Sequence, residues 1–122
     1  MGTLGGGRQV SRYKRGDVVI MPFPYSGAPG EKPRPALVLA AVPFASRTDY
    51  VVCIISTQNA PDPSIIPLAV TDVTAGVLRK QSYLRPKYLF TTSENRITVK
   101  VGDMRAETTE AALRTLAALF AP

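Results

Sequence analysis

The stretch GDVVIMPFPYSGAPGEKPRPALVLA, residues 16–40, decides the fold, because two strand-like runs flank a loop rich in glycine and proline. Residues 17–23 are rich in β-branched side chains, which favour a strand. Residues 36–42 are apolar on both faces, as in a central strand of a sheet. Residues 25–35 form the predicted loop, and this loop ends with Arg34 between two prolines, directly before the second strand.

The chain continues with further short strands. Residues 50–56 are again apolar on both faces, which favours a second central strand. Residues 65–71 contain Pro67, which cannot donate to a β ladder, so this segment is predicted to be an edge strand. Residues 81–93 contain a strand that continues into an extended segment, and residues 96–102 alternate between apolar and polar side chains. The apolar side chains predicted to share the buried face of that last strand are Ile97, Val99 and Val101.

The end of the chain predicts a helix over residues 106–120. Apolar side chains recur there at helical spacing, namely Leu113, Leu116, Ala117 and Phe120. The whole pattern predicts a mainly β fold, a small, partly open barrel closed by one C-terminal helix. A length of 122 residues fits one domain. The glycine-rich residues 1–12 are predicted to be a disordered tail, and residues 13–122 are predicted to form the domain.

Composition restricts the chemistry that the chain can perform. It has no histidine, so the commonest general base is missing and a Cys/His metal cluster is not possible. Its single cysteine, Cys53, lies in an apolar run, which predicts a small buried side chain and suits a reducing cytoplasm. The net charge is +6, and without Arg8 and Arg12 of the tail the count is 13 basic against 9 acidic residues. This moderate excess is compatible with a polyanionic partner such as RNA.

Candidate site residues stand at the ends of two predicted central strands. Arg34 precedes one strand, and Ser56 and Thr57 follow the other. If the strands are neighbours, a guanidinium and a hydroxyl would share one pocket, and both groups can bind a phosphate oxygen. For isolated residues, however, a solvated loop arginine and a turn-forming hydroxyl are the more usual interpretation.

A second candidate is the basic segment RKQSYLRPKY, residues 79–88, which contains no acid. Basic side chains can bind phosphates while tyrosines stack on single-stranded bases. The alternative is a solvated face whose tyrosines pack into the core. The residues concerned are Arg79, Lys80, Tyr83, Arg85, Lys87 and Tyr88.

The combination of RGDVVIMPFPYSG, KPRPALVLA and YVVCIIST resembles the MazF/PemK family, the ribonuclease toxins of type II toxin–antitoxin systems. The segment VLRKQSYLRPKYLFTTSENRITVKVGDM resembles the strand pair that precedes the terminal helix in that family. The resemblance covers residues 13–120. It implies an SH3-like barrel with an appended helix, the fold shared with CcdB-type gyrase poisons.

The resemblance also implies an activity and two kinds of partner. It implies cleavage of single-stranded RNA without metal or cofactor, in which the 2′-OH attacks the adjacent phosphorus and leaves a 2′,3′-cyclic phosphate and a 5′-OH. It implies a homodimer with an RNA groove at its interface, and an antitoxin whose disordered segment fills that groove. The alternatives are a non-catalytic barrel that blocks a protein target or binds RNA without cutting it, and a decayed toxin that only sequesters an antitoxin.

Site residues follow from the same resemblance. The arginine of the Arg-Pro motif falls on Arg34, where electrostatic stabilisation is the safer role because an arginine is a poor base. The family hydroxyl falls on Ser56, although Thr57 stays an alternative, and Gln58 beside them is a candidate contact to the phosphate or a base. Arg85 matches a basic position near the scissile phosphate.

Two further positions concern proton transfer and specificity. Some relatives carry an acid two residues after the arginine that Arg85 matches, where this chain has Lys87, so the general base is unassigned.

The loop 25–32, including Tyr25 and Lys32, is predicted to contact RNA and to influence the cleavage sequence. Arg79, Lys80 and Lys87 are predicted RNA contacts as well.

Overall fold

The protein is described here by a computed structural model that covers residues 11–24, 31–74 and 78–122. The predicted loop residue Tyr25 and most of the predicted tail lie outside these ranges. The elements are β1 (Asp17–Pro24), β2 (Glu31–Phe44), β3 (Arg47–Ser56), β4 (Ile66–Leu68), β5 (Ser82–Ser93), β6 (Val99–Asp103) and α1 (Ala106–Phe120). Short 3-10 turns lie at Val70–Asp72 and Glu94–Arg96.

The six strands form one antiparallel sheet in the order β4-β5-β3-β2-β1-β6. The two edge strands are joined through the segments that follow them, by a β-bridge between Val73 and Met104. Next to this bridge, the Arg105 N–H donates to the carbonyl of Asp72 at 2.7 Å. The sheet therefore curls until its edges nearly meet, and the predicted mainly β, partly open barrel with a C-terminal helix is confirmed.

Both faces of the sheet are buried, which explains why the central strands are apolar throughout. On one face, side chains such as Leu37, Cys53 and Leu84 form a cluster that includes Ala112 and Leu116 of α1. On the other face a second cluster forms around Met21, Phe23, Ala36, Val38, Tyr50, Val52 and Ile54. The helix thus covers one face only.

Strand β2 begins earlier than the sequence predicts, and Arg34 lies within it rather than in a loop. Arg34 is opposite Met21 in the pairing between β1 and β2. Pairing between β2 and β3 begins only at Ala36. The strand is therefore an edge on one side at its start, where prolines without an N–H are tolerated.

The last strand and the helix differ in detail from the prediction. Strand β6 begins at Val99, which is 47% exposed, whereas Ile97 is buried before the strand begins. The predicted buried alternation is therefore wrong at Val99. The helix has the predicted bounds, but its buried residues are Thr108, Thr109, Ala112 and Leu116. Of the four apolar residues at helical spacing, Leu116 is buried and Leu113 is half-buried, whereas Ala117 is exposed and Phe120 is 74% exposed.

The start of the helix is fixed by the buried carboxylate of Asp72. One oxygen accepts a hydrogen bond from the Thr108 hydroxyl at 2.7 Å, and the other accepts from the Ala69 N–H at 2.7 Å. The Arg105 guanidinium lies 3.7 Å from the first oxygen. A single side chain thus connects the segment after β4 to the helix and the segment after β6.

We expect Asp72→Ala to lower the free energy of unfolding by about 1–3 kcal/mol, because the buried Thr108 hydroxyl and the Ala69 N–H lose their acceptor. Urea unfolding followed by circular dichroism measures this. Glu107→Ala is the matched control, since Glu107 pairs with the same Arg105 at 3.5 Å but is 75% exposed. An equal loss of stability in the two variants would contradict the importance assigned to Asp72.

Candidate active site

The candidate site lies where the three central strands β2, β3 and β5 are side by side. Ile54 of β3 is paired with Ala36 of β2 on one side and with Arg85 of β5 on the other. Directly opposite residues of antiparallel strands point to the same face, with Cβ atoms about 4.5–5.5 Å apart. Ala36 and Ile54 belong to the buried cluster on the face without the helix. Arg85 therefore shares that face.

The next row of the sheet concerns Arg34 and Ser56, two of the residues predicted to be catalytic. Ser56, the last residue of β3, is paired with Tyr83 of β5. Continuing the register from the pair Ala36 and Ile54 by two residues places Arg34 of β2 level with Ser56. Because side chains alternate along a strand, Arg34 and Ser56 occupy the same face as Arg85. The register thus assigns two arginines and a serine, from three neighbouring strands, to one face of the sheet.

Arg34 is half-buried and has its backbone fixed in a strand. A residue that precedes a proline is restricted to extended conformations, and Arg34 precedes Pro35. The strand geometry and the proline restrict the backbone in the same way. The direction of the guanidinium is therefore set by its side-chain torsions alone.

Ser56 also takes part in the turn that ends β3. Its Oγ accepts a hydrogen bond from the Gln58 N–H at 3.0 Å. This contact uses a lone pair and leaves the hydroxyl proton able to donate to another group. Thr57 lies beyond the end of the strand and is exposed, so the register brings Ser56, and not Thr57, level with Arg34.

Arg85 is held by an aromatic ring. Its guanidinium carbon lies 4.6 Å from the ring centroid of Tyr88. Its Nε is buried and has no hydrogen-bond partner among the residues that the structure describes. Tyr88 belongs to an irregular part of β5, residues 86–88, since the partner of Cys53 is Leu89 but the partner of Ile54 is Arg85. Such bulges re-aim side chains, and they are common next to active sites.

Lys87 lies in this bulge and forms an ion pair with a carboxylate that was not among the predicted site residues. Its Nζ is 3.1 Å from Asp62, which lies in the connection between β3 and β4. The other Asp62 oxygen accepts from the N–H of Ser64 at 2.9 Å and from its hydroxyl at 2.8 Å. Hydrogen bonds from Ser64, and then the Lys87 ammonium, lower the pKa of Asp62.

The order of residues Asp62-Pro63-Ser64 is a typical signal for such a turn, but nothing in the sequence predicts its contact with Lys87. The predicted RNA contact Lys87 is therefore engaged in an ion pair, although its side chain is still 43% exposed. Asp62 supplies a negative charge to this lysine. Asp62 lies between β3 and β4, not on β5 where the acid is missing, and its lowered pKa makes it a weaker proton acceptor than an ordinary aspartate.

The other predicted RNA contacts lie around the three central strands. Lys32 is exposed on β2 and, two residues before Arg34, shares its face of the strand. Gln58 is exposed next to Ser56. Arg79 and Lys80 are exposed in the segment that leads into β5, so they lie beyond Tyr83 and do not join the row of Arg34 and Ser56.

Comparison with protein families gives one match that covers most of the chain. The family described as PemK-like, MazF-like toxin of type II toxin–antitoxin system matches residues 14–120. The chain belongs to this family. The resemblance that the Arg-Pro motif and the strand ends suggest is thereby confirmed.

Solved structures agree with this assignment at the level of the fold. The barrel is similar to an endoribonuclease in complex with its cognate antitoxin from a mycobacterial species, with 18% identity and a TM-score of 0.64 over 90% of this chain and 97% of the other. It is also similar to an endoribonuclease from a mycobacterial species, with 15% identity and a TM-score of 0.63 over 91% and 93% of the two chains. Comparison with curated proteins gave no match.

A separate pocket lies away from Arg34 and Arg85. This pocket of about 470 Å³ lies near the start of β3, at the other end from Ser56, lined by Arg12, Arg47, Ser93, Glu94, Asn95 and Ile97. Its charges are compensated, since Arg12 is 3.8 Å from Glu94 and Arg47 is 3.4 Å from Asp49.

No helix in the described part of the chain is long and apolar enough to cross a membrane.

Cys53 is excluded as a nucleophile by its burial. It is fully buried between the strands, and loss of solvation of the thiolate raises its pKa from 9.0 to about 12. A raised pKa means that the thiol keeps its proton at neutral pH, and a protonated thiol is neither a nucleophile nor a metal ligand. Within residues 11–24, 31–74 and 78–122, no three side chains of His, Cys, Asp or Glu are grouped so as to hold a metal ion.

We expect the native protein not to react with a thiol reagent at pH 8, and to gain one reactive thiol per chain in urea, because the chain has a single, buried cysteine. The absorbance released from an aromatic disulfide reagent measures the reaction. Cys53→Ala in urea gives the background. Labelling of the folded protein at the rate of a free thiol would show that the barrel exposes this residue.

Proposed function

We propose that the protein is the toxin of a type II toxin–antitoxin system and acts as an endoribonuclease on single-stranded RNA. The observation that carries the proposal is the strand pairing that assigns Arg34, Ser56 and Arg85 to one face of β2, β3 and β5. Family membership supports it, and so does the fold shared with two endoribonucleases. We place its action in the cytoplasm, with a cognate antitoxin and a second copy of the chain as partners.

In the proposed reaction the ribose 2′-OH attacks the adjacent phosphorus and the bond to O5′ breaks. The 2′-oxygen loses a proton and the leaving O5′ gains one, giving a 2′,3′-cyclic phosphate and a 5′-OH. Negative charge accumulates on the non-bridging oxygens between these steps. The guanidinium groups of Arg34 and Arg85 offer rigid donors for those oxygens, and the Ser56 hydroxyl supplies a third.

Electrostatic stabilisation is the main contribution that these side chains can make. An arginine has a pKa above about 12 and seldom accepts a proton at neutral pH. Asp62 is a weak base, because its pKa is lowered by Ser64 and Lys87. We therefore assign Arg34 and Arg85 to the developing charge on the phosphate, and we assign no side chain as general base.

Basic side chains around the row support RNA binding. Lys32, on the same strand face as Arg34, is placed to contact a neighbouring phosphate. Arg79 and Lys80 lie further along and would contact phosphates more distant from the cleaved bond. Such contacts fix the position of a nucleic acid and contribute affinity that falls with salt. Gln58, beside Ser56, is proposed to contact the phosphate or a base.

We expect Arg34→Ala to slow cleavage of a long single-stranded RNA of mixed sequence by on the order of 10²–10³, as for the loss of a preorganised donor to an oxyanion. Incubation in EDTA followed by a denaturing gel measures the rate, and mapping of the fragment 5′ ends gives the cleavage sequence. The control is Arg114→Ala, an exposed arginine on the helix, away from the site. Lys100 is less suitable, because it pairs with Asp17 and Asp103.

The enzymatic proposal would be refuted if toxicity were lost only in variants with substitutions on another surface. It would also be refuted if the protein bound RNA of diverse sequences but cut none of them. The second result would instead indicate a binding barrel. An Arg34→Ala variant as active as Arg114→Ala would remove Arg34 from the mechanism.

The choice between the two hydroxyls can be tested separately. We expect Ser56→Ala to slow cleavage about 10- to 100-fold, the effect of one hydrogen bond to a charged group, whereas Thr57→Ala leaves the rate unchanged. Ser56→Thr retains the hydroxyl and tests whether that group suffices. Ser56→Ala also removes the acceptor of the Gln58 N–H, so urea unfolding of each variant checks that the fold remains stable without this bond. A larger effect at Thr57 than at Ser56 would reverse the assignment.

A further inference from the structure

Tyr88 is an exposed aromatic side chain in contact with Arg85 of the proposed active site. It is 45% exposed, although its ring contacts the half-buried Arg85 guanidinium at 4.6 Å from the ring centroid. Because Arg85 covers one side of the ring, the exposed surface lies mainly on its other face and its edge. A flat apolar surface is thus open to solvent next to a group that faces the proposed phosphate position.

The three residues of the β5 bulge, Pro86, Lys87 and Tyr88, make contacts that restrict the position of the Tyr88 ring. Pro86 is fully buried and anchors the bulge to the core. Lys87 is tied to Asp62 at 3.1 Å, which connects the bulge to the segment after β3. Tyr88 rests on Arg85. A ring fixed in this way loses little conformational freedom when a ligand binds, which favours binding.

We propose that Tyr88 is a stacking platform for a nucleobase next to the cleaved phosphate of single-stranded RNA. The inference rests on the proposed function and adds a binding residue to it. Aromatic side chains stack on bases of any sequence, since every base has a π face. The base would then lie on the outer face of the ring, with the Arg85 guanidinium on the inner face and its phosphate within reach of Arg34 and Ser56.

Tyr88 differs in this respect from the other tyrosine of the segment. Tyr83 is half-buried and stands in the row itself, level with Ser56. The sequence does not distinguish the two tyrosines, whereas in the structure Tyr88, and not Tyr83, has a large exposed surface. Tyr83 is therefore assigned to the floor of the site and Tyr88 to its rim.

The experiment uses the absence of tryptophan from this chain. Tyr88→Trp introduces a single emitter that keeps the contact with Arg85, because tryptophan is the best aromatic partner for a guanidinium. The probe is a 12-residue RNA of mixed sequence with 2′-O-methyl groups, which cannot be cleaved since the attacking hydroxyl is blocked. A fluorescein label on the same RNA reports binding independently by anisotropy.

The matched control is Phe44→Trp. Phe44 is 58% exposed and has the Arg47 guanidinium 5.5 Å from its ring centroid, so it is a similar pair of side chains at the other end of β3. We expect the RNA to quench the emission of Tyr88→Trp with the same dissociation constant as anisotropy gives, and to leave Phe44→Trp unchanged. A base-free ribose-phosphate chain of equal length should not quench either variant.

Affinity gives a second readout. Tyr88→Leu should raise the dissociation constant of the RNA about 5- to 100-fold, as for the loss of one base–aromatic stack, while Tyr88→Phe and Phe44→Leu bind like the unchanged protein. If the RNA binds but the emission of Tyr88→Trp does not change, Tyr88 only supports Arg85 and the proposal fails, while the ribonuclease proposal stands. If the RNA does not bind at all, the stacking proposal fails as well, and cleavage of unmodified RNA then decides the proposed function.

Discussion

The pairing of β3 with two neighbours at once is the constraint on which the rest of the structure depends. Ile54 is fixed between Ala36 on one side and Arg85 on the other. A shift of one residue in either register would move every side chain of that strand to the opposite face. Because both faces of β3 are apolar, it is the close packing of differently sized side chains in the two clusters, and not a difference in polarity, that opposes such a shift. The same register that buries the core therefore brings two arginines and a hydroxyl to one face.

The general architecture could be predicted from the sequence, because the signals for strands and helices are local. Apolar runs marked the central strands, Pro67 marked the edge strand, and the spacing of apolar residues gave the bounds of the helix. The details that depend on distant partners could not be predicted. Arg34 lies in a strand because β1 pairs with it, and Phe120 is exposed because the helix packs through the residues nearer its beginning, held by Asp72.

The members of the candidate site could be named from the sequence, but their arrangement could not. The position of Arg34 relative to Ser56 depends on the register of the sheet, which no short motif encodes. The ion pair between Lys87 and Asp62 joins two segments that are distant in the chain, and it became visible only with the fold. The contact of Arg85 with Tyr88 could not be predicted either, since the spacing of residues in that segment does not distinguish Tyr88 from Tyr83.

The β-bridge between Val73 and Met104 closes the barrel at a place apart from the candidate active site. It closes the barrel where the two edge strands meet, whereas the arginines stand on the three central strands. Changes in free energy at distant positions without shared partners are usually additive. The closure can therefore become tighter or looser over evolutionary time while the arrangement of charge on the central strands is preserved. Such a barrel can adapt its resistance to unfolding and its chemistry as two independent traits.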